Sequence, residues 1–344
     1  MKIGKVQILR CAAVVAVGLL FSMSSATTWA DRDHGKRDHG KSQTCFKTTR
    51  VMHKACRADV TDDFYEESAK CLNSEDAREC RRDAQEEYRD AWGECWEQAE
   101  GRDSLCERLP DAGPYIVELD PADFNGGCPD GNEYYPLVVG TVTTFVNEEE
   151  EEEETIVVTV TDETREIAGI ETIVVRDTVY EGLPDDEGNP DGDRIEDTDD
   201  YYAVDNDCNV WYLGEVSQNF EDGYLDNLDG SFISGVEGAQ AGIIMLGDPM
   251  VGDVYRQEFA LGDAEDAGAV LSLATDILDV DGETVTFDNA AFDCNGLCLK
   301  TEDFIANEPD GTEFKYFKAG VGFVAEQLPD GEVVLKIIKE EKLP

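Results

Sequence analysis

The stretch that decides the fold runs from Cys45 to Cys106 and reads CFKTTRVMHKACRADVTDDFYEESAKCLNSEDARECRRDAQEEYRDAWGECWEQAEGRDSLC. Its six cysteines are separated by 11, 15, 9, 15 and 11 residues, so their spacing is a palindrome about the bond between Glu75 and Asp76. Six cysteines allow 15 pairings in principle. An antiparallel helical hairpin folded at this midpoint selects one of them, which pairs Cys45 with Cys106, Cys56 with Cys95 and Cys71 with Cys80.

The residues between these cysteines favour two helices. At about 100° per residue, gaps of 11 and 15 return to within roughly 20° and 60° of the same helix face. No proline or glycine occurs between Cys45 and Trp92, and Ser74 is placed to cap the second helix, with Glu75 and Asp76 in its first turn. Thiolates that bind metal usually cluster as Cys-x2-Cys, which this segment lacks. The spacing therefore predicts a ladder of three disulfides.

The first 30 residues are typical of a signal peptide. Lys2, Lys5 and Arg10 form a basic region, residues 11–21 are apolar, and Ala30 ends a segment suited to cleavage. Cys11 would be lost with this peptide, which leaves ten of the 11 cysteines, an even number. Export and paired cysteines both indicate an oxidising compartment, so we expect a secreted or periplasmic protein. No later stretch is apolar enough for membrane insertion.

The acidic residues are concentrated after the cysteine ladder. The chain has a net charge of −50, and residues 109–344 contain 58 of its 78 acidic residues but only 10 of its 28 basic ones. This charge argues against nucleic acid as a partner. Two explanations stay open: adaptation of the surface to a saline habitat, or binding of divalent cations that offset the repulsion.

The composition predicts five segments along the chain. A signal peptide (1–30) and a disordered leader (31–44) precede the Cys-rich helical hairpin (45–108), which is a candidate surface for docking a protein partner. A linker rich in proline and glycine (109–132) leads to a β domain (133–344), where β-branched and aromatic runs alternate with Gly, Asp, Asn and Pro. Strands are expected at 134–146, 155–160, 170–180, 195–204, 210–216, 231–236, 241–246, 252–260, 269–279, 283–288, 297–305, 312–318, 321–327 and 332–339.

The resulting fold class is α+β by segregation: a disulfide-stapled antiparallel α-hairpin followed by a curved, mainly antiparallel all-β domain. The seven glutamates Glu148–Glu154 are expected at a hairpin tip, because like charges within a sheet repel one another. Four cysteines in this part allow three pairings. An Asn295-Gly296 turn would bring Cys294 to Cys298, which favours that pair together with Cys128–Cys208 and leaves the other pairings open.

Several kinds of catalytic site are excluded from the β domain by composition. All three histidines precede residue 54, so His-based triads and His-ligated zinc sites are absent after the hairpin. No nucleophile-elbow, phosphate-loop or dinucleotide motif occurs. A carboxylate-based hydrolase stays open because acidic residues are abundant.

Calcium is the most specific cofactor that the sequence suggests, and no other cofactor is expected. Residues 185–196 gather oxygen donors of the kind that calcium prefers. Aligning Gly192 with the glycine of an EF-hand loop puts Thr198 where a bidentate carboxylate is needed, so this is not an EF-hand. The alternative is a solvated acidic loop. The candidate ligands are Asp185, Asp186, Glu187, Asn189, Asp191, Asp193 and Glu196.

A strongly curved sheet can also enclose an apolar cavity. The apolar runs at residues 243–246 and 333–335 suit the lining of such a cavity, and they suit an ordinary sheet core equally well. The β domain is therefore also a candidate carrier of an apolar ligand.

A set of phrases in the β domain resembles a loose class of exported bacterial β-rich proteins, some of which carry a Cys-rich helical hairpin in front. The resemblance implies a similar fold and carries over no activity and no catalytic position. The phrases are Tyr134–Thr141, Tyr201–Asp205, Asn209–Glu215, Gly252–Glu258 and Tyr316–Phe323.

These observations favour a non-catalytic exported binding or envelope-associated protein with a highly acidic, calcium-binding surface. The first alternative is a periplasmic carrier of a lipid or other apolar ligand. The second alternative is the carboxylate-based hydrolase.

Overall fold

The computed structural model describes residues 43–148 and 153–343 of the 344-residue chain. The predicted signal peptide and the leader as far as residue 42 lie outside the described residues, as do four of the glutamates at 149–152. Helix α1 spans Thr44–Cys71, helix α2 spans Ala77–Arg108, and a short 3-10 helix spans Pro121–Phe124. Fifteen strands follow in the described part of the chain: β1 Thr141–Asn147, β2 Glu154–Ile167, β3 Ile170–Glu181, β4 Arg194–Val204, β5 Val210–Glu221, β6 Tyr224–Asn227, β7 Phe232–Ile233, β8 Gln240–Met245, β9 Val254–Arg256, β10 Glu258–Phe259, β11 Asp266–Thr275, β12 Cys298–Ile305, β13 Glu308–Lys318, β14 Gly322–Gln327 and β15 Val333–Lys342.

The two helices form the predicted antiparallel hairpin. All three predicted disulfides are present, Cys45–Cys106, Cys56–Cys95 and Cys71–Cys80, so the palindromic spacing is confirmed. Helix α1 already begins at Thr44, the last residue of the predicted leader. The prediction that Ser74 caps the second helix is wrong. Asp76 is the cap, and its carboxylate accepts a hydrogen bond from the backbone N–H of Glu79 at 3.1 Å.

The strands form one large antiparallel sheet, which confirms the predicted fold class. Its strand order is β10-β8-β5-β4-β3-β2-β1-β15-β14-β13-β12-β11-β9, and the short strands β6 and β7 also pair with β5. Strands β1 and β2 are adjacent and antiparallel, with Asn147 facing Glu154, and four of the seven glutamates predicted for a hairpin tip lie outside the described residues. Most neighbours in the sheet are also neighbours in sequence.

The sheet curls until its two edges nearly meet. Strand β9 pairs with β11 at one edge and β10 pairs with β8 at the other, and Gln257 is the single residue between β9 and β10. The chain therefore crosses the gap between the edges over residues 254–259. Gly242 on β8 permits this close approach, because a Cβ atom there would lie 2.1 Å from the Gln257 carbonyl oxygen.

The open end of the hairpin packs on the outer face of β11–β13. Leu105 is fully buried in a cluster that includes Ala267, Ala269 and Phe304. Beside this cluster, Arg102 of α2 forms a buried ion pair with Glu265, at 2.6 Å between Nη2 and Oε1. The hairpin and the β domain are thus joined by both apolar contact and paired charge.

The predicted linker lies as a strap along the β sheet. The Tyr115 hydroxyl donates a hydrogen bond to the Ala241 carbonyl oxygen at 2.9 Å, and the N–H of Val117 donates to the Gln240 side chain at 3.0 Å. Phe124 packs near Trp211, with ring centroids 6.4 Å apart. The disulfide Cys128–Cys208 fixes the end of this strap to the turn between β4 and β5.

Both favoured disulfides are present: Cys128–Cys208 joins the predicted linker to the β domain, and Cys294–Cys298 lies within the β domain. Asn295 and Gly296 both have positive φ angles, of 51° and 72°, and supply the expected tight turn between the second pair. Two predicted strands are wrong in extent. Residues 134–140 precede β1 without joining the ladder, and residues 283–288 contribute only an isolated bridge between Leu278 and Thr284.

None of the helices in residues 43–148 and 153–343 is long and apolar enough to cross a membrane.

Candidate functional site

The concave face of the curled sheet encloses a cavity of about 280 Å³. Alternate residues of a strand point to the same side of a sheet, so each long strand contributes one to three residues to the wall. The apolar part of the wall includes Val158, Val160, Val175, Ile244, Phe317 and Phe323. The acidic part includes Asp177, Asp200, Glu215, Glu258, Asp266, Asp303 and Glu326.

The cavity opens beside the segment that precedes β1. Val138, Gly320 and Lys342 line the cavity and are exposed to solvent, so they mark its mouth. Glu340 is also exposed at this rim. The acidic side chains on β3–β5, in contrast, are buried. A ligand entering at the mouth would therefore pass from an exposed rim to a charged interior.

Asp177 of β3 and Asp200 of β4 form the first acidic group. In the strand register Asp177 faces Thr198 on β4 and Val158 on β2, whereas Asp200 faces Val175 on β3 and Glu215 on β5. Burial raises the pKa of Asp177 well above its ordinary value, and the neighbouring Asp200 and Glu196 raise it further. Burial also raises the pKa of Asp200 to about 7, against the opposing effect of a hydrogen bond from Tyr212.

The hydrogen bonds in this group leave one carboxyl oxygen unsatisfied. The Tyr212 hydroxyl donates to Asp200 Oδ1, and the Thr198 hydroxyl donates to Glu196 Oε1 at 2.7 Å. Among the described residues, Asp177 Oδ1 is buried and has no hydrogen-bond partner. A buried polar atom of this kind normally has a partner in the protein, in water or in a ligand.

Lys315 of β13 forms a second charged group, on strands β12–β14. Its Nζ lies 3.4 Å from Asp303, 3.9 Å from Glu326 and 4.0 Å from Glu313. Although burial opposes its charge, the three carboxylates raise the pKa of Lys315 well above the ordinary value. Asp303 is further held by Gln257, which donates to its Oδ2 at 2.9 Å, and by Thr301, which donates to its Oδ1 at 2.6 Å.

Glu313 and Glu326 are neighbouring carboxyl groups, and Glu313 keeps its proton at neutral pH. Burial raises the pKa of Glu313 to about 9, and the charge of Glu326 adds to this effect. Glu326 lines the cavity, whereas Glu313 lies behind it. Lys315 and its three carboxyl neighbours therefore form a network whose charges largely offset one another.

Three tyrosines lie between the apolar and acidic parts of the wall. Tyr202 and Tyr212 stack with ring centroids 4.7 Å apart, and Tyr135 lies 5.4 Å from Tyr202. Burial raises the pKa of all three hydroxyls, so they stay protonated and able to donate hydrogen bonds at neutral pH. Their rings supply flat apolar surface beside the carboxyl groups.

The predicted calcium ligands are not brought to one point. The Asp185 carboxylate accepts hydrogen bonds from the backbone N–H groups of Glu187 and Asn189 at 2.9 and 2.8 Å, so it closes its own turn. Asp186, Glu187, Asn189, Asp191 and Asp193 are exposed, whereas Glu196 is buried on β4. Within residues 43–148 and 153–343, no group of three or more His, Cys, Asp or Glu residues is placed to hold a metal ion. Calcium binding by residues 185–196 stays a prediction.

The two apolar runs predicted for a cavity wall each contribute one lining residue. Ile244 and Leu335 line the cavity, whereas the neighbouring Met245 and Val334 are buried in the core. Sequence analysis missed Lys315 and the acidic wall, because a polar residue at alternate strand positions normally indicates a solvent-facing side. Strand β4 did carry a signal, because it has acidic residues on both faces: Glu196 and Asp200 on one face, and Asp197 and Asp199 on the other. One of these two faces must point to the inside of the sheet.

Comparison with protein-family models, curated proteins and solved structures finds no match to this chain.

Proposed function

We propose that the protein is an exported, non-catalytic binding protein that carries a small amphipathic molecule inside its β domain. The observation that carries this proposal is the cavity itself. Protein interiors are normally packed as densely as organic crystals. A space of about 280 Å³ lined by both aromatic rings and buried carboxyl groups is at the small end of the range for ligand sites.

The mixed wall supports a ligand with an apolar body and a polar end. Val158, Val160 and Val175 offer apolar surface, and each Å² of apolar ligand surface removed from water contributes roughly 25 cal/mol. The buried carboxyl groups require hydrogen-bond donors in return. This combination favours the carrier interpretation of the sequence, with a more polar ligand than a simple lipid.

A carboxylate-based hydrolase is the competing interpretation of the same cavity. Of the neighbouring carboxyl groups of Glu313 and Glu326, only that of Glu326 lines the cavity, so the two cannot flank a bound substrate on two sides. Asp303 is held by Gln257, Thr301 and Lys315, which favours a fixed structural role. Binding without turnover is therefore the better-supported proposal.

The rest of the chain agrees with an exported binding protein. Five disulfides are typical of an oxidising compartment, secreted or periplasmic. The hairpin displays Tyr65 and Trp96, which are 67% and 58% exposed, on a rigid stem. Docking of a protein partner there, and a calcium-loaded acidic surface, stay predictions that are compatible with ligand carriage.

The test is binding of the neutral fluorescent probe N-phenyl-1-naphthylamine to the full disulfide-bonded protein. The wild type should bind the probe saturably and release it chemically unchanged. Val158→Trp should weaken binding by about tenfold or more, because the indole ring fills the cavity. Thr159→Trp places the same side chain on the opposite face of β2 and should bind the probe as the wild type does.

Equal binding by Val158→Trp and the wild type would contradict carriage in the cavity. A natural ligand recovered in hydrolysed form would instead support the hydrolase.

A further inference from the structure

The charges that line the cavity are unequal in number. Eight acidic and two basic side chains contribute to the wall. One basic residue, Lys342, is exposed at the mouth. The other, Lys315, lies within 4.0 Å of Asp303, Glu313 and Glu326, so its charge is already offset on its own side.

Asp177 and Asp200 have no such counterion. No basic side chain in the described part of the chain forms an ion pair with either carboxyl group. Thr198 faces Asp177 across the ladder, but its hydroxyl group donates its hydrogen bond to Glu196 Oε1. As a result Asp177, which is 7% exposed and lines the cavity, retains an unsatisfied Oδ1.

This arrangement indicates which chemical group of a ligand would satisfy Asp177 Oδ1. Leaving a buried carboxyl oxygen without a donor is costly, and a charged donor makes the stronger bond. An ammonium group has three N–H donors and no acceptor, so it can serve Asp177 and Asp200 together. A carboxylate would be repelled, a hydroxyl would donate only once, and the described residues place no ligand set for a metal ion.

We propose that the ligand is an organic amine whose ammonium group binds between Asp177 and Asp200. This inference rests on the proposed function, because it assigns the polar end of a molecule that the cavity must first accommodate. The apolar body fits the same place: Val158 faces Asp177 on the adjacent strand, and Val175 faces Asp200. Each acid thus has an apolar neighbour in the wall.

The test compares three probes with the same eight-carbon chain: n-octylammonium, 1-octanol and octanoate. Each displaces N-phenyl-1-naphthylamine from the full disulfide-bonded protein at pH 8. The wild type should bind octylammonium about tenfold more tightly than octanol, as expected for one charge-assisted contact, and octanoate most weakly.

The variant Asp177→Asn keeps the shape of the side chain and removes its charge. It should lose most of the preference for octylammonium while its affinity for octanol stays within about twofold of the wild type. Glu341→Gln is the matched control, since it removes a charge from an exposed residue of β15 that does not line the cavity and should leave the preference intact.

The outcomes separate the two proposals. If all three probes bind with similar affinity, or octanoate binds best, the amine assignment is overturned and the carrier function survives. If none of the three probes displaces the naphthylamine, carriage of amphipathic molecules in this cavity is itself contradicted. An unchanged preference in Asp177→Asn would also overturn the assignment.

Discussion

Lys315 and Glu326 face each other on the neighbouring strands β13 and β14, with Lys315 Nζ 3.9 Å from Glu326 Oε2. Asp303 and Glu313 lie within 4.0 Å of the same ammonium group. A lysine inside a curled sheet thus holds three carboxyl groups together, and this network stabilises the wall opposite the proposed amine site.

Replacing this lysine should destabilise the protein strongly. Lys315→Met leaves three buried carboxyl groups without their cation, and we expect a loss of about 3–5 kcal/mol in the free energy of unfolding at pH 8. Urea unfolding measures this loss. Lys339→Met, which removes a lysine 3.2 Å from the exposed Glu341, should cost at most about 1 kcal/mol. Equal losses in the two variants would show that the buried network stabilises the protein no more than the exposed ion pair of Lys339 and Glu341 does.

Glu313 should make stability depend on pH. Its folded-state pKa is raised to about 9 from an ordinary value of 4.5. The stability that it contributes is therefore fully present below pH 4.5 and is lost as the pH rises towards 9. Glu313→Gln removes this dependence, so the variant should gain stability relative to the wild type between pH 5 and pH 8, by up to about 1.4 kcal/mol per pH unit.

Urea unfolding at several pH values measures this difference. Glu332→Gln alters an exposed carboxyl group in the turn after β14 and is the control. Parallel pH profiles for Glu313→Gln and the wild type would refute a protonated Glu313.

The hairpin and the β domain should unfold as one cooperative unit through Arg102 and Glu265. Arg102 Nε lies 3.0 and 2.9 Å from the two carboxyl oxygens of Glu265, and both side chains are buried. Arg102→Met should cost about 3–5 kcal/mol, because it leaves the Glu265 charge unpaired in the interior. Adding Glu265→Gln should recover most of this loss.

A double-mutant cycle in urea measures the coupling energy of this pair. The half-buried pair Arg108 and Glu302, 2.7 Å apart, is the comparison, and Arg108→Met should cost about 1 kcal/mol or less. A coupling energy near zero between Arg102 and Glu265 would argue that the hairpin is only tethered by the chain.

Binding of octylammonium should strengthen with pH. Burial raises the pKa of Asp200 to about 7, so its carboxyl group is largely protonated in the empty cavity at pH 5, and burial raises the pKa of Asp177 in the same direction. The charges of Glu196, Asp197 and Glu154 also raise the pKa of Asp177, and those of Glu196 and Asp199 also raise the pKa of Asp200. A cation binds to the deprotonated form, so its affinity should rise between pH 5 and pH 8 and its binding should release protons.

Isothermal titration in two buffers with different ionisation enthalpies measures the released protons. Octanol serves as the control and should bind with little dependence on pH. A pH-independent affinity for octylammonium would show that Asp177 and Asp200 do not bind the amine.

The hairpin was predictable in detail because disulfide geometry leaves few solutions. Residues that are 11 or 15 positions apart on a helix share a face, so the palindrome from Cys45 to Cys106 specified every rung. The capping residue was not predictable to the same degree. Ser74 and Asp76 are both good caps, and the length of the turn between the helices decided for Asp76.

The cavity was only partly predictable, since it depends on how far the sheet curls. The apolar runs that contain Ile244 and Leu335 suited a cavity lining and an ordinary core equally well, whereas Asp177 and Lys315 are polar residues in strands and resemble surface positions. Their burial results from pairing between strands that are far apart in the sequence, such as β1 with β15. A local pattern carries no information on that closure.

The calcium prediction rested on composition alone and illustrates the same limit. Residues 185–196 contain many oxygen donors, but Asp185 is occupied by its own turn and Glu196 points into the buried face of β4. Sequence proximity did not bring the donors together.

The central claim is that the β domain carries an organic molecule, and the native mass of the mature protein purified from its own secretion tests it most directly. We predict a mass greater than that of the chain with five disulfides, and release on denaturation of an organic compound that ionises as a cation. A mass equal to that of the disulfide-bonded chain, or an excess explained entirely by inorganic ions such as calcium, would contradict the claim.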